Sequence, residues 1–311
     1  MENIEITKFN ELSFGENINQ EAAIAPIENG LEYEILSDND VLEYIDYLNL
    51  TKAIEILAEF FDVNAVAIAK ENKLCSVALG SSIENAFEKI IDCDPLSVVG
   101  STIGFTKELT LDVAKQVNAM KVRNIISTKI SKEATEYLLT NSEINLIQVK
   151  SPLQELLGFN AKDIKVTPFG YLAQTQNDSK LTKSTFKVAG KTKPTQQQAE
   201  DAIFAWKIAK YSQSRCAVIA KDLVTRAIVQ GRTNLAEATE YAMDIACENS
   251  KDAVLAVDGT IENEEVINAA IQGRIGLIIE ACNGINSEKF VKLTDKYEIS
   301  LIKTGLRNNK Y

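Results

Sequence analysis

Residues 65–70 read AVAIAK, and residues 217–221 read AVIAK. Both are apolar runs ended by a lysine, and their length and composition predict a buried strand in each place. The surroundings repeat as well. Lys70 precedes Gly80 by ten residues, and Lys221 precedes Gly231 by ten. Each glycine closes a second short apolar run, Val77-Ala78-Leu79 in one copy and Ala227-Ile228-Val229 in the other. A helical period follows each glycine. Ile83, Ala86, Phe87, Ile90 and Ile91 share one face of 83–91, and Leu235, Ala238, Ala242 and Ile245 share one face of 235–247. A helix is predicted ahead of each copy, over 53–61 and 199–212, and a third strand closes each, over 97–99 and 253–257. Helix, strand, strand, helix, strand, occurring twice, implies two related α/β units in one chain. Residues 174–198 are polar, hold no helical period and contain Gly190 and Pro194, which reads as a connector with one short strand near 186–189. The expected organisation is a first unit with its N-terminal segment over 1–175, a connector over 176–198 and a second unit over 199–311.

The totals narrow the chemistry. The 311 residues carry a formal net charge of −11 and no histidine. Zero histidines exclude a His-containing triad, a His general base and a zinc site of the H-E-x-x-H kind. The acidic balance argues against nucleic-acid binding, which needs clustered Lys and Arg, but leaves room for a small anionic ligand in a locally cationic pocket. Cys75, Cys93, Cys216, Cys247 and Cys282 are odd in number and scattered without a C-x-x-C pair. That pattern fits a reduced cytoplasm better than a disulfide framework, and no metal site is expected. No apolar run reaches the roughly 18 residues of a membrane span, and the opening MENIEITKFNE carries no secretory pattern.

Six stretches, in order, carry a resemblance. LSFGENINQ (12–20) matches L-R-Y-G-E-N-P-H-Q; KENKLCSVA (70–78) matches K-H-x-N-P-C-G-V-A; DPLSVVGSTIGFT (94–106) matches D-P-V-S-A-F-G-G-I-I-A-F-N. FGYLAQ (169–174) matches G-G-L-L-V-Q, FAWKIAKYSQSRCAVIAKD (204–222) matches F-A-W-K-x-x-K-x-x-x-S-N-A-x-x-x-A-K-D, and TGLRNNKY (304–311) matches T-G-x-R-H-F-R-H. Over nearly the whole chain the sequence resembles the transformylase domain that formylates 5-aminoimidazole-4-carboxamide ribonucleotide (AICAR). The resemblance implies a fold of two tandem cytidine-deaminase-like α/β units, a homodimer with sites across its interface, and 10-formyltetrahydrofolate as co-substrate. It supplies no counterpart of the companion cyclohydrolase domain.

The reaction implied by the resemblance moves a formyl group onto a weakly nucleophilic amine. It needs a proton acceptor and stabilisation of the developing oxyanion. The Lys-His pair and the Asn of S-N-A are the family's residues for that work. Lys70 keeps the lysine, either as a ligand for a carboxamide oxygen or phosphate or as a strand-end lysine reaching for solvent. Glu71 stands where the family has His, as a base of raised pKa or as a solvated turn residue. Arg215 stands where the family has Asn; it offers donors only and suits an anion rather than a proton. The motif's Asn, Pro and Gly are Lys73, Leu74 and Ser76, which changes the expected loop shape, while Cys75 reads as a small buried hydrophobe.

For the nucleotide, the resemblance points to Phe14, Gly15, Glu16 and Asn17, then Asp94, Ser97 and Gly100, then Arg232 (a Gln in the family), Asp258 and Arg307. Asp94-Pro95 is equally a plain turn signal, and an arginine near a chain end is equally a solvated one. Both aromatic residues that would flank a folate ring are missing from 257–263, VDGTIEN, and the family's P-G-G-S is Ala281-Cys282-Asn283-Gly284. Framework positions follow the family and chemistry-bearing positions do not. Two functions follow: an AICAR transformylase-type protein of purine metabolism with eroded catalysis, or a non-catalytic protein that binds a nucleotide-like or folate-like ligand or serves as partner subunit.

Overall fold

The computed structural model of the chain describes residues 9–27, 29–37, 42–140, 143–159, 162–182, 186–281 and 287–311. In chain order its elements are β1 (Asn10–Leu12), β2 (Ala22–Ile24), β3 (Tyr33–Ile35), α1 (Tyr44–Ala58), β4 (Asn64–Lys70), β5 (Lys73–Gly80), α2 (Ile83–Ile91) and α3 (Pro95–Val98). These are followed by β6 (Thr102–Phe105), α4 (Leu111–Ala119), β7 (Asn124–Ser127), α5 (Lys132–Leu138), β8 (Asn145–Val149), β9 (Asp163–Thr167), β10 (Gly170–Gln174) and β11 (Lys187–Ala189). The rest are α6 (Gln196–Tyr211), β12 (Ala217–Lys221), β13 (Val224–Val229), α7 (Leu235–Ala246), β14 (Val254–Val257), α8 (Glu264–Gln272), β15 (Leu277–Glu280), α9 (Ser287–Lys296) and β16 (Ser300–Lys303).

The chain forms two compact units: 1–73 with 81–84 and 95–176, and 74–80 with 85–94 and 177–311. Within the first, the strand order is β4-β6-β7-β8-β3. β4 and β6 are antiparallel, β6, β7 and β8 are parallel, and β3 returns antiparallel on β8. Within the second, the order is β11-β16-β15-β14-β12-β13-β5. There β12 and β14 are antiparallel, β14, β15 and β16 are parallel, and β11 returns antiparallel on β16. The two patterns are the same pattern, with β13 and β5 added to the second.

The repeat extends to single hydrogen bonds. β4 and β12 each lead into a two-residue turn whose residues both have positive φ: Glu71 and Asn72 at 52° and 56°, Asp222 and Leu223 at 59° and 58°. That is the type I′ combination, whose twist suits flanking strands. The preceding helix caps each turn from within. Asn49 of α1 accepts the Asn72 N–H at 2.8 Å, and Asp201 of α6 accepts the N–H groups of Asp222 and Leu223 at 3.0 and 2.7 Å. Both capping side chains are buried, where an unpaired polar group would be costly.

In the second unit the sheet is covered on both faces. Ala217, Ile219, Leu255, Val257, Ile278 and Leu301 pack in one cluster with residues of α7, α8 and α9. The alternating positions Val218, Ala220, Val254 and Ala256 face the other way, towards α6, which contacts β12 and β14. α6 starts at a capping box: the Thr195 hydroxyl accepts from Gln198 N–H and the Gln198 side chain accepts from Thr195 N–H. α1 packs closely on β6, where a Cβ at Gly104 would come within 2.6 Å of Leu57.

Four expectations change. Residues 97–99 are not a strand: Asp94-Pro95 opens α3, and the strand follows at Thr102–Phe105. Proline at the first position of a helix behind a capping-type residue outweighs a short β-branched run. α1 begins at Tyr44 rather than at 53, because its first turns bury Asp46 and Asn49, which break the apolar period. Leu74 and Ser76 are buried within β5, so this stretch is strand and not loop. Ile245 is 56% exposed; at 3.6 residues per turn it lies about 80° around α7 from Leu235, at the margin of the buried stripe of Leu235, Ala238, Thr239, Ala242 and Ala246. Cys282, Asn283 and Gly284 lie outside the described residues.

Asp201→Ala leaves two turn N–H groups without their acceptor, and the expected loss is about 2 kcal/mol in urea unfolding. Asp201→Asn, which keeps one acceptor oxygen, recovers part of it.

Candidate functional site

In open α/β sheets, ligands bind outside the carboxyl ends of the parallel strands. In the second unit that edge is formed by Asp258 and Gly259 after β14, Glu280 at the end of β15, and Thr304 onward after β16. Because β12 runs antiparallel to β14, with Ala217 opposite Val257, the start of β12 reaches the same edge and brings Ser214, Arg215 and Cys216 to it.

Asp258 is fully buried. Its carboxylate accepts the Ser214 hydroxyl at 2.5 Å and the Cys216 N–H at 3.0 Å. Ser214 in turn accepts the Lys310 N–H at 3.0 Å and donates its own N–H to the Lys310 carbonyl at 2.8 Å. The peptide bond between Ser214 and Arg215 is cis. Arg215 is half-buried, and its Nη1 donates to Asn309 Oδ1 at 3.3 Å. Asn308 is buried beside it; its amide carbonyl accepts the Trp206 indole N–H at 3.1 Å and its amide nitrogen donates to the Ser179 hydroxyl at 3.1 Å. The C-terminal segment is thereby tied down next to Arg215.

Glu280 is 2% exposed. It accepts the Ile261 N–H at 2.9 Å, and Lys303 Nζ stands 3.9 Å away. Burial pushes its carboxyl up to about 7, against the opposing pull of the Ile261 N–H and Lys303. Cys216 is buried, and desolvation pushes its thiol well above the usual range, which disfavours the nucleophilic thiolate. Cys75, Cys93, Cys216 and Cys247 are free thiols. Among the described residues no group of three His, Cys, Asp or Glu side chains could hold a metal ion, and no helix is long and apolar enough to cross a membrane.

The second unit therefore brings Arg215, Arg232 and Asp258 to one edge. Arg232 Nη1 stands 3.4 Å from Glu237, and its guanidinium lies over the Tyr241 ring at 4.3 Å. Arg307 is on the same segment as Asn309 but exposed, and Asp94, half-buried, immediately precedes α3.

The first unit holds the other candidates. Lys70 is at the carboxyl end of β4. Since β4 runs antiparallel to β6, with Ala69 opposite Thr102, Lys70 lies at the amino end of the parallel strands, away from their carboxyl ends. Its Nζ donates at 2.8 Å to the carbonyl of Val99, which lies between α3, the helix that holds Ser97, and Gly100. Lys221 does the same in the second unit, donating to the Lys251 carbonyl at 2.8 Å. Gly100 has φ 71°, and its N–H donates to Lys121 O at 2.9 Å; Asp252, its counterpart, has φ 59° and donates to Arg274 O at 2.9 Å. Glu71 is an exposed residue of the type I′ turn. Gly15 is buried, Phe14 half-buried, and Glu16 and Asn17 exposed. Asn17 closes on Gln20 through its N–H and amide nitrogen, each 2.8 Å from Gln20 Oε1.

Sequence reasoning passed over Ser214, Gly259, Glu280 and Asn309. Glu280 did leave a signal, a carboxylate ending the otherwise apolar run LIIE, since an acidic residue is seldom buried in such a place.

An α/β protein with a polar, partly cationic carboxyl-edge site is the class this geometry defines. The family model described as AICARFT/IMPCHase bienzyme matches residues 1–245, and the chain belongs to that family. Among similar proteins, the "Bifunctional purine biosynthesis protein PurH" of Caldicellulosiruptor saccharolyticus is 30% identical over 96% of this chain and 59% of its own length. The PurH of Fusobacterium nucleatum is 31% identical over 99% of the chain and 61% of its own length, and that of Aquifex aeolicus 28% over 100% and 61%. The chain thus spans about 60% of the length of the curated relatives it matches. A solved RibD structure from Acinetobacter baumannii matches with a TM-score of 0.26 and 18% identity, over 34% of this chain and 33% of that one; a score that low carries no argument.

Glu280 yields a pH prediction. Its folded-state pKa, about 7, lies above the ordinary 4.5, so the native state holds this proton more tightly than the unfolded one. Stability is lost as pH rises from about 4.5 to 7. Glu280→Gln removes that cost. It is expected to be nearly neutral in urea unfolding at pH 4 and to stabilise the protein by about 3 kcal/mol at pH 8.

Proposed function

We propose that the chain is an AICAR transformylase-type protein of purine metabolism, built of two cytidine-deaminase-like halves and assembled as a homodimer. In this reading it acts in the cytoplasm and takes AICAR and 10-formyltetrahydrofolate as ligands, with formyl transfer slowed by the loss of its proton acceptor. The observation that carries the reading is the paired role of Lys70 and Lys221. Each ties a strand end to a backbone carbonyl in the loop that leads to the third strand, a framework duty that needs no substrate. Beside Lys70, the place of the family's histidine is taken by Glu71 in an exposed turn. At the carboxyl edge, the place of the family's asparagine is taken by Arg215, which has no acceptor for an amine proton. The repeated element order supports the two-halved architecture.

A lost general base costs a factor of about 10² to 10⁴. With AICAR and isotope-labelled 10-formyltetrahydrofolate, labelled product is expected to form slower by about that factor than with a full-length relative. A rate equal to the relative's overturns the erosion. A second reading, ligand binding without turnover alone or as a partner subunit, is favoured by the charge of Arg215. Calorimetry that finds AICAR bound and no labelled product at all selects it; absence of both binding and product contradicts both readings.

A further inference from the structure

Arg215 and Arg232 exchange backbone hydrogen bonds, the N–H of Arg215 to the carbonyl of Arg232 at 2.9 Å and the reverse at 3.2 Å. Reciprocal bonds set two residues directly opposite each other, an arrangement in which like charges repel. Arg232 is relieved by Glu237 and by the face of Tyr241. Among the described residues, no carboxylate lies within ion-pair distance of Arg215, whose partner is the neutral amide of Asn309. The nearby Asp258 carboxylate is held by Ser214 and the Cys216 N–H. A half-buried guanidinium with no carboxylate partner among the described residues is able to take up an anion.

Gly259 makes room for the guanidinium itself. A Cβ at Gly259 would stand 2.9 Å from Arg215 Nη1 and 3.7 Å from Leu235 Cδ1. Gly259 is not among the positive-φ glycines, so its missing side chain serves room rather than backbone freedom. The first unit is uncharged at this place. Asn64 and Ser81 occupy the positions of Arg215 and Arg232, and the Asn64 amide donates to the Ser81 carbonyl at 3.0 Å. The pair of arginines is therefore peculiar to the second unit.

We infer that Arg215 anchors an oxyanion, the carboxylate or phosphate group of a ligand, in a site that Asn309 and Arg232 complete and where Gly259 leaves the guanidinium room. The planar guanidinium suits two parallel bonds to such a group. The inference rests on taking the carboxyl edge of the second unit as the ligand site, and it does not require formyl transfer.

Calorimetry of the full chain with inorganic pyrophosphate and with malonate tests it, one probe for each source of the anion. At least one probe is expected to bind at millimolar concentration or below. Arg215→Gln should weaken that binding about tenfold or more. Asn309→Asp, which supplies an internal carboxylate to Arg215, should weaken it as well, while exposed Lys132→Gln should not. Thermal unfolding of each variant verifies that it folds. Failure of both probes to bind the wild-type chain, or binding that Arg215→Gln and Asn309→Asp leave unchanged, overturns the inference. AICAR binding by a wild-type chain that binds neither probe would overturn the inference while leaving the transformylase-type reading in place.

Discussion

One buried carboxylate organises the carboxyl edge of the second unit. Asp258 has no contact with solvent and takes hydrogen bonds from the Ser214 hydroxyl and the Cys216 N–H. Its carbonyl also accepts the Asn308 N–H at 3.4 Å. Three segments remote in sequence, the entry to β12, the exit from β14 and the C-terminal stretch, are thereby fixed against each other. A buried polar group persists only where it is hydrogen-bonded, and these bonds hold the three segments together at one point. Arg215, Gly259 and Asn309 each sit one residue from a member of this network, and their mutual placement follows from it.

The corresponding place in the first unit shows what the carboxylate adds. There Thr106 follows β6 as Asp258 follows β14, and its hydroxyl accepts the Ala65 N–H at 2.8 Å, as Asp258 accepts that of Cys216. The same backbone junction is closed by a neutral group in one copy and a charged one in the other. The copies therefore share a framework, down to the strand-end lysines and the capped type I′ turns, and differ in charge at the carboxyl edge of the parallel strands.

Much of this framework was legible in the sequence. The ten-residue step from lysine to glycine in each copy marked equivalent positions, and the spans 83–91 and 217–221 match α2 and β12 residue for residue. What periodicity missed, it missed for physical reasons. α1 buries Asp46, which accepts Arg123 Nε at 2.6 Å and Asn124 Nδ2 at 2.9 Å; a polar residue satisfied by partners 77 and 78 positions away leaves no local signal. At the candidate site, Arg215, Arg232 and Asp258 could be named from sequence alone. Their companions Gly259 and Asn309 could not, since a glycine that clears space and an asparagine that orients a guanidinium acquire those roles only in three dimensions.

Lys70 best separates inherited framework from inherited chemistry. Its bond to Val99 duplicates that of Lys221 to Lys251, at the same 2.8 Å, which is the geometry of a structural tie. Urea unfolding of Lys70→Met and Lys221→Met, followed by AICAR calorimetry, tests this directly. Equal losses of about 1–2 kcal/mol in the two variants, with AICAR affinity unchanged in Lys70→Met, are the predicted result. A Lys70→Met protein as stable as wild type that no longer binds AICAR would contradict it.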